Sequence, residues 1–310
     1  MVEIVPSLFY NFEDMENNSQ KNIHWFPGHM KKAYVRIEDH LKMVDFVVIV
    51  LDARAPFSSA NDYLIKMFVN KPKIYILNKE DLADPKLTPE WIKYFTRENI
   101  RCISLNSKGD LKSKLKDHLM YLTEEKRVKN LKRGIKNSLF KGIIVGVPNV
   151  GKSTIINSLS GVKKAKAANT PGVTRNVNLI KISANYFLMD TPGILTPRFE
   201  NEEEGIKLAL LGSIRQDILP FEKLINYAFD FLKTYYPWYL LKYLDETYDL
   251  ARLKEVKNEE FIKIIANKHM PRLKNGALNI EQAKIKFLND FKNGQICRFC
   301  LDRIDEYAKF

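Results

Sequence analysis

The fold is decided by residues 146–153, which read Gly146-Val147-Pro148-Asn149-Val150-Gly151-Lys152-Ser153. This run matches GxxxxGK[ST], in which glycines allow tight backbone turns and successive N–H groups surround phosphate oxygens. An apolar run from Phe140 to Gly146 precedes it, and a helical pattern from Lys152 to Leu159 follows it. The order of strand, loop and helix predicts a phosphate-binding loop, but this motif does not identify the base of a bound nucleotide.

A second motif, Asn78-Lys79-Glu80-Asp81, lies N-terminal to that loop, after a predicted strand from Lys73 to Leu77. An Asp carboxylate at its fourth position can accept from both N1–H and the exocyclic amine of guanine, and would repel the Watson–Crick edge of adenine. The tetrad therefore predicts specificity for guanine. Because GTPases normally present the phosphate loop first, the two motifs stand here in reversed order.

A third motif, Asp190-Thr191-Pro192-Gly193, ends a predicted strand from Tyr186 to Met189. Alone it could be an ordinary exit from a strand. Beside a phosphate loop, it places a carboxylate near Mg²⁺ and a glycine N–H near a γ-phosphate. Between the two motifs, Thr170-Pro171-Gly172-Val173-Thr174 offers two threonines, of which one is needed to ligate Mg²⁺. Thr174 is predicted, and Thr170 is the alternative.

The arrangement of elements predicts an α/β fold. Continuous apolar, β-branched runs at Asp45 to Leu51 and Lys73 to Leu77 are typical of buried parallel strands, and a helical pattern from Ala60 to Asn70 separates them. Further helices are predicted at Pro89 to Glu98 and Leu111 to Thr123. Alternating elements of this kind indicate a doubly wound, mostly parallel sheet with ligands at the carboxyl ends of the strands. Together with the three motifs, they predict a P-loop GTPase domain with its motifs in the reversed order.

The character of the sequence changes after about Asn201, where helical spacing replaces the strand pattern. Apolar residues recur at helical spacing through Leu208 to Leu219, Phe221 to Tyr235 and Glu260 to Ala266. We therefore predict an N-terminal arm at 1–22 that could lack fixed structure, a GTPase domain at 23–200, and an all-α domain at 201–310.

Composition restricts the function. The chain has 310 residues, of which 45% are hydrophobic and 28% charged, and a net charge of +13 that favours a polyanionic partner such as RNA. A generally basic surface without such a partner is the alternative. No apolar run is long enough for a membrane span, and the N-terminus lacks the pattern of a signal peptide. Three cysteines, Cys102, Cys297 and Cys300, favour a reducing compartment, so we expect a cytoplasmic protein whose CxxC pair holds thiols rather than a metal.

The order of the motifs resembles that of the circularly permuted GTPases, and within them the ribosome biogenesis GTPase A family. The resemblance covers about residues 23–200 and is lower in the helical part. The segments that carry it are Trp25-Phe26-Pro27-Gly28-His29-Met30, Asp52-Ala53-Arg54-Ala55-Pro56, Asn78 to Asp81, Gly146 to Thr154, Pro171 to Thr174 and Asp190 to Leu195. The first twenty-odd residues and the pair Cys297 and Cys300 depart from the family pattern.

The resemblance implies a GTPase that acts on a precursor of the large ribosomal subunit. It implies GTP or GDP with Mg²⁺ in the site, slow hydrolysis that the particle accelerates, and contact of the helical domain with rRNA. A monomer is expected. A signalling switch read by protein partners, and an RNA-binding protein with a vestigial nucleotide site, are the alternatives.

Catalysis needs a group that orients water. The position after the DTPG glycine holds Ile194, whose side chain cannot form a hydrogen bond. By resemblance His29 is the candidate, and a structural histidine is the alternative. Asn149 resembles an asparagine that ligates K⁺ in related GTPases, so K⁺ is expected to stimulate hydrolysis. We further expect GTP to order Ile194 to Glu204 and thereby to orient the helical domain.

The candidate residues fall into three sets. The predicted catalytic residues are His29, Lys152 and Thr174. The predicted nucleotide-binding residues are Asn78, Lys79, Glu80, Asp81, Asn106, Ser107, Asn149, Val150, Gly151, Lys152, Ser153, Thr154 and Gly193. The predicted metal ligands are Ser153, Thr174 and Asp190 for Mg²⁺, and Asn149 for K⁺.

Overall fold

The structure is a computed structural model that describes most of the chain. The described residues are 28–96, 100–106, 111–160, 179–196, 199, 201–215, 218–244 and 249–307. For residues 28–31 and 111–112 only the backbone is described.

A six-stranded sheet forms the N-terminal half of the described structure. Its strands in chain order are β1 Phe46–Asp52, β2 Lys73–Asn78, β3 Arg101–Leu105, β4 Phe140–Val145, β5 Leu179–Lys181 and β6 Tyr186–Asp190. Their spatial order is β3-β2-β1-β4-β6-β5, and every pairing is parallel except that of β5 with β6. All seven residues of β1 are buried, as its continuous apolar sequence predicts for a central parallel strand. The predicted doubly wound, mostly parallel sheet is confirmed.

Helices follow or connect these strands. In chain order they are α1 Gly28–His40, α2 Asp62–Met67, α3 Leu87–Thr96, α4 Leu111–Lys132 and α5 Lys152–Ser160. Short 3₁₀ turns occupy Leu41–Met43 and Glu80–Leu82. All four helices predicted for this half are present. Their ends differ from the prediction by a few residues, except that α4 is longer by nine residues.

The prediction that α4 ends at Thr123 was wrong, because the helix continues to Lys132. No apolar stripe marks this second part, which is why the sequence pattern missed it. Ion pairs at helical spacing support the exposed turn instead: Arg127 contacts Glu124 at 2.6 Å, and Lys129 contacts Glu125 at 2.5 Å. The basic stretch therefore begins as the solvated face of a helix.

The C-terminal half is helical in the described residues. Its helices are α6 Glu202–Leu210, α7 Phe221–Tyr235, α8 Pro237–Leu244, α9 Leu250–Glu255, α10 Asn258–His269, α11 Ile280–Lys292 and α12 Ile304–Tyr307. The stretch from Leu208 to Leu219, where apolar residues recur at helical spacing, is not a single helix, because α6 ends at Leu210. Gly212 has φ +77°, and the Ser213 N–H donates to the Leu208 carbonyl over 2.8 Å, which is the Schellman arrangement of a helix end.

Buried side chains run continuously from the sheet into the helical half. The same hydrophobic cluster includes Val48 of β1 and Phe261 of α10. Cys102, Cys297 and Cys300 are buried free thiols. Within the described ranges, no helix combines the length and the apolar character that crossing a bilayer demands. The boundary between 200 and 201 stays a prediction.

Candidate nucleotide site

The predicted motifs meet at one edge of the sheet. The motif residues Asn78 and Asp190 end β2 and β6, and β4 runs into the loop that begins at Gly146. These strands are parallel, so their carboxyl ends share one edge, as expected for ligand sites in open α/β sheets. Asp52 at the end of β1 lies beside Asn78 in the register.

The base-reading and phosphate-binding motifs touch through Asn78. Its Nδ2 donates to the Val150 carbonyl over 2.7 Å. Gly151 packs against the same amide: with φ at +105°, a Cβ at this position would lie 2.2 Å from Asn78 Nδ2. Asn78 Oδ1 is buried and has no hydrogen-bond partner within the described ranges. Buried polar atoms are rarely left unpaired, so this acceptor fits a ligand donor at the site.

Lys152 is a buried cation at the start of α5. Its Nζ donates to the carbonyls of Gly146 at 3.0 Å and Val147 at 2.9 Å. Burial lowers the pKa of Lys152 to about 8, although the charge of Asp190 acts in the opposite direction. Burial also raises the pKa of Asp190, and Lys152 partly offsets this. A buried ammonium held mainly by neutral carbonyls fits phosphate oxygens as its further partners.

The guanine-reading tetrad forms a tight turn after β2. Lys79 has φ +62°, and Glu80–Leu82 is the 3₁₀ turn that follows. Asp81 is exposed, and its carboxylate makes no hydrogen bond or ion pair with the part of the chain that is described. Asn106 follows β3 and is half-buried. The turn therefore presents a carboxylate at the same edge as the phosphate loop.

A buried ion cluster behind this turn was missed as a functional feature. Asp52 accepts from Arg54 Nε at 2.9 Å and Nη2 at 2.8 Å, and from Lys79 Nζ at 2.8 Å. Burial of Asp52 opposes ionisation, but Arg54 and Lys79 together hold the pKa of its carboxyl well below the ordinary value. Arg54 Nη1 also donates to the Lys292 carbonyl at the end of α11. The signal in the sequence was the pair of charged residues Asp52 and Arg54 at the end of an otherwise apolar strand.

The segment after Gly193 is fixed by two polar side chains that the sequence analysis did not single out. Asn61 Nδ2 donates to the Ile194 carbonyl at 3.2 Å, and the Tyr34 hydroxyl donates to the Leu195 carbonyl at 2.8 Å. The Ile194 N–H donates to the Gly146 carbonyl at 3.2 Å, which places Gly193 beside the phosphate loop. Ile194 itself is fully buried, so its side chain faces the core.

Asn149 joins the phosphate loop to the helical half. It has φ +56°, and its Nδ2 donates to the Gly212 carbonyl over 2.7 Å. Ser153 and Thr154 are exposed in the first turn of α5, and Glu80 is half-buried. Ser107, Thr170 and Thr174 lie outside the described residues, as does the side chain of His29, whose backbone lies in the first turn of α1. The roles of all these residues stay predictions.

Comparison with known proteins assigns the class. Residues 141–268 match the family described as 50S ribosome-binding GTPase. The match begins in the strand that carries the phosphate loop and leaves out Asn78 to Asp81, as expected when the base reader comes first. This match and the motifs at the carboxyl ends of the parallel strands define a P-loop GTPase, an enzyme that hydrolyses GTP, with its motifs in circularly permuted order.

Full-length relatives identify the family. The chain is 35% identical to ribosome biogenesis GTPase A of Bacillus cereus, over 93% of this chain and 96% of that protein. It is 31% identical to the protein of that name from Thermotoga maritima, over 91% and 95% of the two chains. The crystal structure of GNP-bound YlqF from T. maritima is 28% identical, with a TM-score of 0.61 over 88% of this chain and 98% of that one. The chain belongs to the ribosome biogenesis GTPase A family.

Proposed function

We propose that the protein is an assembly factor for the large ribosomal subunit, which binds rRNA of the precursor particle in a nucleotide-dependent way. The names of its relatives place such proteins in ribosome biogenesis. The contact that carries the proposal is the hydrogen bond from Asn149 in the phosphate loop to the Gly212 carbonyl in the helical half. Because of this bond, a shift of the phosphate loop on GTP hydrolysis would also move the region proposed to bind RNA.

The helical half offers a surface suited to RNA. Trp238 and Tyr239 on α8 are 68% and 54% exposed, and the next turn carries the exposed Lys242. Exposed aromatic rings can stack on unpaired bases, and lysines pair with phosphates. The net charge of +13 favours association with such a polyanion.

At the nucleotide site, each residue has a distinct proposed role. Lys152 and the backbone of the phosphate loop bind the phosphates, and Asp81 reads guanine. Ser153, Thr174 and Asp190 would hold Mg²⁺, because hydroxyl and carboxylate oxygens are the ligands that this ion prefers. The metal would supply charge compensation at the β- and γ-phosphates. Asn149 would ligate K⁺.

His29 is proposed to orient the attacking water. The support is that α1, which begins at Gly28, also carries Tyr34, and the Tyr34 hydroxyl donates to the Leu195 carbonyl. Leu195 lies two residues after Gly193, whose N–H is predicted to contact the γ-phosphate. Replacing His29 by Ala should lower kcat and leave the affinity for GTP unchanged. Unchanged kcat would assign His29 a structural role.

The function is tested by GTP hydrolysis with and without purified large subunits. We expect a strong increase in rate, and the Lys152→Ala protein serves to subtract GTPase activity that the subunits carry. Co-sedimentation should be tighter with a non-hydrolysable GTP analogue than with GDP, and should weaken steeply as salt rises. No stimulation together with equal sedimentation in both nucleotide states would refute the proposal. We also propose that the protein acts in the cytoplasm as a monomer.

A further inference from the structure

The turn that carries Asp81 is bound by the far end of the chain. We call residues 298–302 the C-terminal segment. Its Phe299 forms an isolated parallel bridge with Ala83. The Phe299 N–H donates to the Leu82 carbonyl at 3.3 Å, and the Phe299 carbonyl accepts from Asp84 N–H at 3.1 Å. The C-terminal segment thus extends along the loop that follows the guanine-reading tetrad.

Arg298 adds a fork that holds both sides of Asp81. Its Nε donates to the Ala83 carbonyl at 2.8 Å, and its Nη2 donates to the Glu80 carbonyl at 2.9 Å. These two carbonyls bracket the 3₁₀ turn Glu80–Leu82. A guanidinium has its donors in one rigid plane, so two simultaneous bonds fix the separation and direction of the carbonyls.

The C-terminal segment is anchored without Arg298. Asp302 is fully buried and accepts from the backbone N–H groups of Phe57 and Ser58, each at 2.8 Å. The Leu301 N–H donates to the Arg54 carbonyl at 2.6 Å. Loss of the Arg298 side chain therefore leaves the C-terminal segment and its Phe299 backbone bonds in place, and removes only the two hydrogen bonds of the guanidinium to the turn.

We infer that Arg298 is a positioning residue for guanine recognition, which acts by fixing the turn that presents Asp81. The inference rests on the proposed role of Asp81 as the base reader. The exposed Asp81 carboxylate has no hydrogen-bond or ion-pair partner among the described residues, so its position is set by the backbone of the turn. A small displacement of a hydrogen-bonding group is enough to weaken recognition substantially.

The test compares GDP with IDP, whose base lacks the exocyclic amine that Asp81 would bind. Dissociation constants are measured on the full chain by displacement of a fluorescent GDP. Arg298→Ala should weaken GDP binding roughly tenfold and IDP binding less, because hypoxanthine keeps N1–H but lacks the exocyclic amine, so that two hydrogen bonds to the Asp81 carboxylate are disturbed with GDP and only one with IDP. Arg298→Lys, with one donor in place of the fork, should fall between Arg298→Ala and the unchanged protein.

Arg272→Ala is the matched control. Arg272 is also an exposed arginine of the helical half, and its guanidinium also holds a local turn, at the Gly276 carbonyl and Asn267 Oδ1 over 3.1 Å and 3.0 Å. Because that turn lies in the helical half, the preference for GDP over IDP should stay unchanged.

A double-mutant cycle separates this inference from the proposed site. If Arg298 acts through Asp81, then Arg298→Ala should have no further effect on the GDP/IDP ratio in an Asp81→Ala background. Two results would overturn the inference but not the role of Asp81. The first is that Asp81→Ala abolishes the preference for GDP over IDP while Arg298→Ala leaves it unchanged. The second is that the two substitutions have additive effects on this preference in the double variant. An unchanged ratio in Asp81→Ala would overturn the base-reading role of Asp81, and this inference with it.

Discussion

The buried carboxylate of Asp52 is expected to stabilise the whole fold, and Asp52→Asn should reveal this. Asp52 is wholly inaccessible to solvent and Arg54 is 1% exposed, while Lys79 is 21% exposed. The Asn side chain keeps one acceptor oxygen but turns an NH₂ group towards the guanidinium. Arg54 would then be a buried charge without a counter-ion, and breaking such a pair costs about 3–5 kcal/mol. Lys79 contributes less because it can turn to water.

The dependence on pH follows from the lowered pKa of Asp52. A carboxyl whose pKa is lower in the folded state than in the unfolded state stabilises the fold fully above its unfolded pKa, which is about 4. That stabilisation is lost as the pH falls through the folded value. The difference in free energy of unfolding between the unchanged protein and Asp52→Asn should therefore be constant from about pH 5 to 8, and narrow only below about pH 4.

Urea unfolding followed by circular dichroism measures this difference. Asp45→Asn is the matched control, because Asp45 lies just before the other end of β1 and pairs with Lys126, whose side chain is 48% exposed. Asp45 itself is 13% exposed, but an Asn oxygen can still accept from the Lys141 N–H, and an ion pair with a half-exposed lysine contributes about 1 kcal/mol or less. Equal losses of stability in Asp52→Asn and Asp45→Asn would refute the reasoning that Arg54 depends on a buried counter-ion.

Three further outcomes are expected. GDP affinity should fall as pH rises above about 8, because Lys152, with its pKa of about 8, loses the charge that binds phosphate; a flat profile from pH 7 to 9.5 contradicts this. Trp238→Ala should weaken the affinity for large subunits in co-sedimentation by about fivefold to a hundredfold, since base stacking contributes roughly 1–3 kcal/mol. Val69→Ala is the control at an equally exposed site and should leave co-sedimentation unchanged. Equal effects of the two substitutions would show that Trp238 does not contact RNA. Asn149→Ala should abolish any difference between GTPase rates in KCl and NaCl; a surviving difference would assign K⁺ to other ligands.

Much of the fold could be predicted because its signals are local. The strand Phe46–Asp52 has an unbroken apolar sequence, which a central parallel strand requires on both faces. The phosphate loop needs its glycines at fixed positions, so a short pattern identifies it. By contrast, the last turns of α4 have no apolar stripe and are supported by ion pairs such as Arg127 with Glu124, which look in sequence like any charged linker.

The contacts around the nucleotide site could be predicted only in part. Asn78, Lys152 and Asp190 lie where their motifs place them, because each ends or follows a strand at the same edge. The bonds of Arg298 to Glu80 and Ala83 join residues more than two hundred positions apart. No periodicity or short motif encodes such a pairing, since it depends on how the helical half folds back on the sheet.

The permuted order lets one helical region contact both motifs that are predicted to bind the nucleotide. The chain leaves the sheet after Asp190 to Gly193, the motif predicted to contact the γ-phosphate. Helix α6 then leads to Gly212, whose carbonyl accepts from Asn149 of the phosphate loop. Further along the chain, Arg298 holds the turn that carries Asp81, the predicted guanine reader. Coupling between two binding sites is reciprocal, so any factor by which GDP changes affinity for the particle must equal the factor by which the particle changes affinity for GDP. A particle that shifts the helical region would thus change both the phosphate loop and the turn that carries Asp81. A domain that contacted only one of these two motifs could change only that one.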